Sequence, residues 1–114
     1  MKFSTDEQGS HHGVVTSIVV VAELLYGVER SSRREANRRH LEKELEPIGI
    51  VPLSLGAAAR FGHLKAELRA KGVNKTDLDL LIAATTLDLG ATLVTNDRAL
   101  LDGTIPGLSV ENWA

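Results

Sequence analysis

The sequence predicts an α/β fold in which a short, mostly parallel sheet is flanked by helices. Runs rich in β-branched residues alternate along the chain with longer runs carrying helix start and stop signals, the pattern of strands joined by crossover helices. Hydrophobic residues make up 43% of the chain but aromatic ones only 4%, so the core has to be built from Leu, Val, Ile and Ala, which suits helices packed on a sheet. At 114 residues the chain can bury one core and hardly two, which makes it a single domain.

Residues 1–13 are polar and glycine-containing, lack a sustained period and are expected to be an irregular segment before the domain proper at 14–114. Val14 to Thr16 reads as a short β segment, after which Thr16 or Ser17 can cap a helix through SIVVVAELLYGVERS to about Arg30. Ile18 to Val21 would also suit a strand, and Ala22 to Leu25 decides for helix. A strongly charged helix follows over Arg33 to Glu46, with Ala36, His40, Leu41 and Leu45 as a thin inward stripe and Pro47 as its end. Ile48 to Leu53 reads as a strand. Ser54 opens a third helix, its buried face expected from Leu55, Ala58, Phe61, Ala66 and Leu68 and its stop at Gly72. Thr76, with Asp79 three residues on, has the form of a capping box launching a largely buried helix that Gly90 closes. Ala91 to Thr95 then reads as a strand, Asp97 to Leu101 as a helical turn, and Leu108 to Val110 as a last short strand.

The informative residues are acids in apolar surroundings, because a lone buried carboxylate costs several kcal/mol unless a cation or hydrogen-bond donors satisfy it. Glu23 stands between Val19-Val20-Val21-Ala22 and Leu24-Leu25. It is either a buried functional acid or the one exposed stripe of an amphipathic helix, and the apolar context favours burial. Asp79 lies in the first turn of its helix, where helix initiation and anion stabilisation by free N–H groups are both served. Asp97 follows the C-terminal end of a parallel strand, where open α/β sheets collect ligands, and it can also cap the helical turn behind it. Asp77 and Asp88 read as solvent-facing partners on the same helix as Asp79. Three acids converging from separate segments would give an all-oxygen donor set, suited to Mg²⁺ or Mn²⁺ rather than zinc. Such an ion neutralises phosphate charge and activates water for phosphodiester cleavage.

Other chemistries are excluded by what is missing. No cysteine is present, so disulfides, thiolate metal sites and a Cys nucleophile are out, and the sequence contains neither GxSxG, nor HExxH, nor a phosphate-cradling glycine loop. His11 and His12 are adjacent and would point apart on an extended segment, which argues for a surface role over a metal site. No apolar run approaches the roughly 20 residues needed to span a bilayer, and the opening residues do not resemble a signal peptide, so a cytoplasmic protein is expected. With a net charge of -2, nucleic-acid contact falls to a local patch. Arg30, Arg33, Arg34, Arg38, Arg39 and Lys43 form one, interleaved with Glu29, Glu35, Glu42, Glu44 and Glu46; it reads as a solvated helix face or as a contact for nucleic acid or an acidic partner.

Taken together, the segments VVTSIVVVAELLYGVERS, TDLDLLIAATTLDLGATLVTND and IPGLSVENW resemble the PIN-domain family, and specifically the VapC-type toxins of toxin–antitoxin pairs, over Val14 to Trp113. The resemblance implies a three-layer PIN-like fold and a Mg²⁺-dependent endoribonuclease, with Mn²⁺ as the alternative ion, acting as the toxin of a type II pair. It implies that Glu23, Asp79 and Asp97 are the catalytic acids that hold the metal and that Thr95 is the hydroxyl accompanying the last of them. RNA, a cognate antitoxin protein and a second copy of the chain are the implied partners. The sequence departs from the family at its start. Family members begin with a hydrophobic strand ending in an Asp-Thr-Asn type motif, whereas Met1-Lys2-Phe3 is short and polar, and Asp6 stands among loop-like neighbours. A missing first strand would leave a slot in the sheet and a metal site short of one ligand. That departure supports the alternative of a catalytically degenerate PIN module acting in antitoxin binding or dimerisation.

Overall fold

The computed structural model describes residues 2–4 and 14–112. Among the described residues there are five strands, β1 (Lys2–Ser4), β2 (Val14–Ser17), β3 (Gly49–Val51), β4 (Thr92–Val94) and β5 (Val110–Glu111). The five helices are α1 (Ile18–Arg30), α2 (Arg34–Leu45), α3 (Leu55–Ala70), α4 (Asp77–Leu89) and α5 (Arg98–Leu101). The predicted α/β class and the order of elements from Val14 onward hold.

The strands form one sheet in the order β3-β2-β1-β4-β5. β2 pairs with β3 and β4 with β5 in parallel, while β1 is antiparallel to both of its neighbours. β2 to β5 therefore all run one way, and their C-terminal ends share an edge. Lys2 lies opposite Val94, which puts the N-terminal end of β1 at that same edge.

An irregular segment over residues 1–13 was the expectation, and Lys2–Ser4 differs from it. The reason is backbone rather than side chain: with β2 and β4 on either side, the facing N–H and C=O groups of both need partners, and three extended residues of any polarity supply them. The rest of that segment, Asp6, His11 and His12 included, lies outside the described residues.

Four of the helices start on side-chain caps. Ser17 Oγ accepts from Val20 N–H at 3.1 Å, Ser54 Oγ from Ala57 N–H at 3.0 Å, Thr76 Oγ1 from Asp79 N–H at 3.1 Å and Asp97 Oδ1 from Ala99 N–H at 2.9 Å. Gly90 closes α4 in the left-handed conformation, φ 64°, with its N–H turned back to the last carbonyls of the helix.

The core sits where α3 and α4 cover the sheet, around Leu64, Leu68, Leu80, Ala83, Leu93 and Leu100. α4 is buried along most of its length, as expected. The face expected for α3 is half right: it buries Ala57, Leu64 and Leu68, while Leu55 is 87% exposed and Ala58 and Ala66 face outward. Residues 57, 61, 64 and 68 follow the 3.6-residue period toward α4, and Leu55 falls a turn too early and off that line. α2 buries no residue, so its predicted inward stripe amounts to the half-buried Leu41 and Leu45.

Candidate active site

Two loops bring acids to the shared C-terminal edge of the strands. The first is the turn into α4. Thr76 caps the helix by taking the Asp79 N–H, which fixes Asp79 in the first turn, where the residue is 9% exposed. The second leaves β4 through Thr95, Asn96 and Asp97. Thr95 is buried, and its Oγ1 accepts from Asp97 N–H at 3.0 Å, while Asp97 in turn caps α5. The hydroxyl of Thr95 thus shapes the turn that presents Asp97.

Asp79 and Asp97 face one another. Burial pushes the Asp79 carboxyl above its usual range, the neighbouring charge of Asp97 adds to the rise, and hydrogen bonding from Thr76 together with the Lys75 ammonium offsets it in part. The pair sets one buried carboxylate against a second, partly exposed one that repels it. That is the donor chemistry of a site for a hard divalent cation, and Mg²⁺ is commonly held by one or two carboxylates with water completing its shell.

Glu23 behaves differently. The structure places it in the second turn of α1 with its side chain exposed, correcting the expectation that apolar neighbours would bury it. Val20 and Val21 are buried on the other side of α1, while Leu24 is 44% and Tyr26 59% exposed. An apolar run in sequence does not bury its one acid when no element covers that face. Among the described residues, no group of three or more acids, histidines or cysteines is placed to hold a metal ion. The convergence is of two acids, Asp79 and Asp97, with Thr95 behind them.

Two further residues belong to this corner and were not legible beforehand. Lys75, the residue before the α4 cap, has a side chain only 6% exposed, and its Nζ donates to Ala99 O at 2.5 Å and to Asp102. Asp102 also accepts from the Thr104 N–H and hydroxyl, and the Lys75 contact first, then Thr104, pulls its carboxyl down to about 2. Lys75 and Asp102 are 27 residues apart. No spacing or periodicity links them. The expected solvent-side partners of α4 do stand as such: Asp77 pairs with Lys65 at 2.9 Å, and Asp88 meets Ser54 and Arg60.

A family model described as PIN domain matches residues 4–103. The chain belongs to the PIN-domain family. Relatives agree: "Ribonuclease VapC2" of Rickettsia felis is 38% identical over 100 residues, spanning 88% of this chain and 74% of that protein. "tRNA(fMet)-specific endonuclease VapC" of Salmonella typhimurium is 31% identical over 97 residues, spanning 85% and 73%. In three dimensions, this PIN domain is similar to a chain of VapBC2 from Rickettsia felis bound to a DNA fragment from its promoter, at a TM-score of 0.82 and 38% identity over 88% of this chain and 74% of that one. The aligned region of this PIN domain therefore carries the architecture of a VapC ribonuclease, and no helix among its described residues is long and apolar enough to cross a membrane.

Proposed function

We propose that this PIN domain is a metal-dependent endoribonuclease, the toxin of a toxin–antitoxin pair, which cleaves RNA phosphodiester bonds with metal-activated water. One observation carries the proposal: Asp97 is brought face to face with the buried Asp79 at the C-terminal edge of the parallel strands. The names of the relatives, a VapC ribonuclease and a tRNA(fMet)-specific endonuclease, support RNA as the substrate class.

In this reading Asp79 and Asp97 hold the ion. Mg²⁺ or Mn²⁺ supplies charge neutralisation at the phosphate and a lowered pKa for water. Asp79, its carboxyl raised by burial, gains most from a cation, because the cation offsets both its desolvation and its repulsion by Asp97. Thr95 positions Asp97 through the backbone N–H. Glu23, exposed on α1, is the third metal-holding acid that the family resemblance assigns.

The test is RNA cleavage at saturating Mg²⁺ or Mn²⁺, with chelator and Asp79→Asn as controls. Cleavage that both controls abolish is expected; absence of cleavage, or cleavage that Asp79→Asn leaves intact, would sink the proposal.

A second reading is favoured by the exposure of Glu23 and by the absence of a three-acid cluster among the described residues. In it the same domain is catalytically degenerate and acts by binding an antitoxin or a second copy. The groove between α1 and α2, lined by Leu24, Val28, His40 and Leu41, suits an amphipathic antitoxin segment. Ile50 and Leu53, on and beside the edge strand β3, and Leu55 at the start of α3 are exposed apolar residues that suit a homodimer. Antitoxin binding that survives Asp79→Asn, without any nuclease activity, distinguishes this reading from the first.

A further inference from the structure

α5 is four residues long, too short to hold its own shape or orientation, yet Asp97 is its N-cap. What fixes it is visible at both ends. At its start, Asp97 caps the Ala99 N–H, and Thr95 Oγ1 takes the N–H of Asp97. Near its end, Ala99 O has no helical turn beyond it to supply a donor, and such carbonyls are usually left to water or to a capping cation. Here the donor comes from another element. Lys75 reaches across from the turn into α4 and donates both to Ala99 O and to Asp102, the residue that ends α5.

Lys75 is a costly residue to place this way, since an ammonium on a side chain only 6% exposed must be paired to be tolerated. Asp102 meets that need, held by Thr104 on its other side. The Lys75 ammonium also helps to hold the Asp79 carboxyl down, so its charge and its mechanical role act with opposite sign on a bound cation. Five residues, Lys75 to Asp79, carry at one end the cation that pins α5 and at the other the carboxylate that must face the start of α5. Without the pin, Asp79 and Asp97 would be free to relieve their repulsion by moving apart.

We propose that Lys75 is a positioning residue for the divalent-cation site: through Ala99 O and Asp102 it clamps α5 against the turn into α4 and so holds Asp97 opposite Asp79. The inference rests on the reading of these two acids as the metal ligands. The sign of its effect separates it from simple electrostatics. Removing a nearby cation strengthens binding of another cation, whereas loss of a supporting contact behind metal ligands weakens it, commonly by about tenfold or more.

The experiment is a Mn²⁺ titration followed by the loss of the free-ion EPR signal, on the wild type, Lys75→Met and Asp102→Asn, with amide hydrogen exchange on the same three metal-free proteins. Asp102 is exposed and outside the core, so Asp102→Asn keeps the test meaningful should Lys75→Met fold poorly. The expected result is Mn²⁺ affinity lowered about tenfold in Lys75→Met and less in Asp102→Asn, with faster exchange at Leu100 and Leu101 and unchanged exchange in the middle of α4. Affinity that is unchanged or higher in Lys75→Met would overturn the clamp. A wild type that binds no Mn²⁺ would instead overturn the metal reading of Asp79 and Asp97, and the exchange at Leu100 and Leu101 then decides the clamp alone, faster in the variants supporting it and unchanged refuting it.

Discussion

Asp79 is the residue in which stability and proposed function oppose one another. Its folded-state carboxyl is raised above the ordinary value of 3.8 by burial first and by Asp97 second. A raised acid takes up its proton more readily folded than unfolded, so without metal it destabilises the fold at neutral pH, and that penalty fades as pH falls through the raised value toward 3.8. Asp102 has the opposite sign: held down to about 2, it stabilises above 3.8, and this contribution is lost as pH falls from there toward 2. Metal-free protein is therefore expected to gain melting temperature on mild acidification from neutrality and to lose it again below 3.8. Asp79→Asn should remove the first effect and raise the metal-free melting temperature at neutral pH, while abolishing stabilisation by Mg²⁺. Melting curves across pH, with and without Mg²⁺, check both; a variant less stable than wild type in metal-free buffer would refute the opposition.

At the scale of elements, α4 depends on its two ends. Thr76 supplies the cap at the start, so Thr76→Ala is expected to cost about 1 kcal/mol and to push the Asp79 carboxyl further up, since the Thr76 hydrogen bond is one of the two influences holding it down. Gly90, at φ 64°, tolerates a side chain poorly for conformational reasons alone, nothing lying within 4 Å of where a Cβ would stand. Gly90→Ala should cost about 1 kcal/mol by forcing a left-handed alanine. Urea unfolding at an unchanged m-value measures both. If Gly90→Ala is silent, the closing turn of α4 relaxes to another conformation.

For the whole molecule, the α3–α4 pairing is the structural centre, and Leu68 is buried within it at 2% exposure. Leu68→Ala is expected to cost about 2–5 kcal/mol, a large share of the roughly 5–15 kcal/mol that holds a small domain folded. Circular dichroism during urea unfolding should show the midpoint collapse or the variant arrive unfolded. A loss below about 1 kcal/mol would mean that the core repacks around the space left. The α1–α2 pair is different in kind, since α2 buries nothing and several apolar residues of α1 remain open, which leaves this region free to receive a partner.

Local chemistry in the sequence determined the elements and their ends. Ser17, Ser54, Thr76 and Asp97 were readable as caps, Gly90 as a stop, and the buried run of α4 as a helix, because each of these depends on residues within a turn of one another. The family resemblance singled out Glu23, Asp79, Asp97 and Thr95, of which the fold brings Asp79, Asp97 and Thr95 together. Tertiary structure decided the rest, because burial and pairing are properties of what lies opposite. It left Glu23 in solvent although its neighbours in sequence are apolar, and it set Lys2–Ser4 between β2 and β4 because their backbones required a partner there. It also joined Lys75 to Asp102 across 27 residues, where only the fold, by packing α5 beside the turn into α4, could bring the charges together.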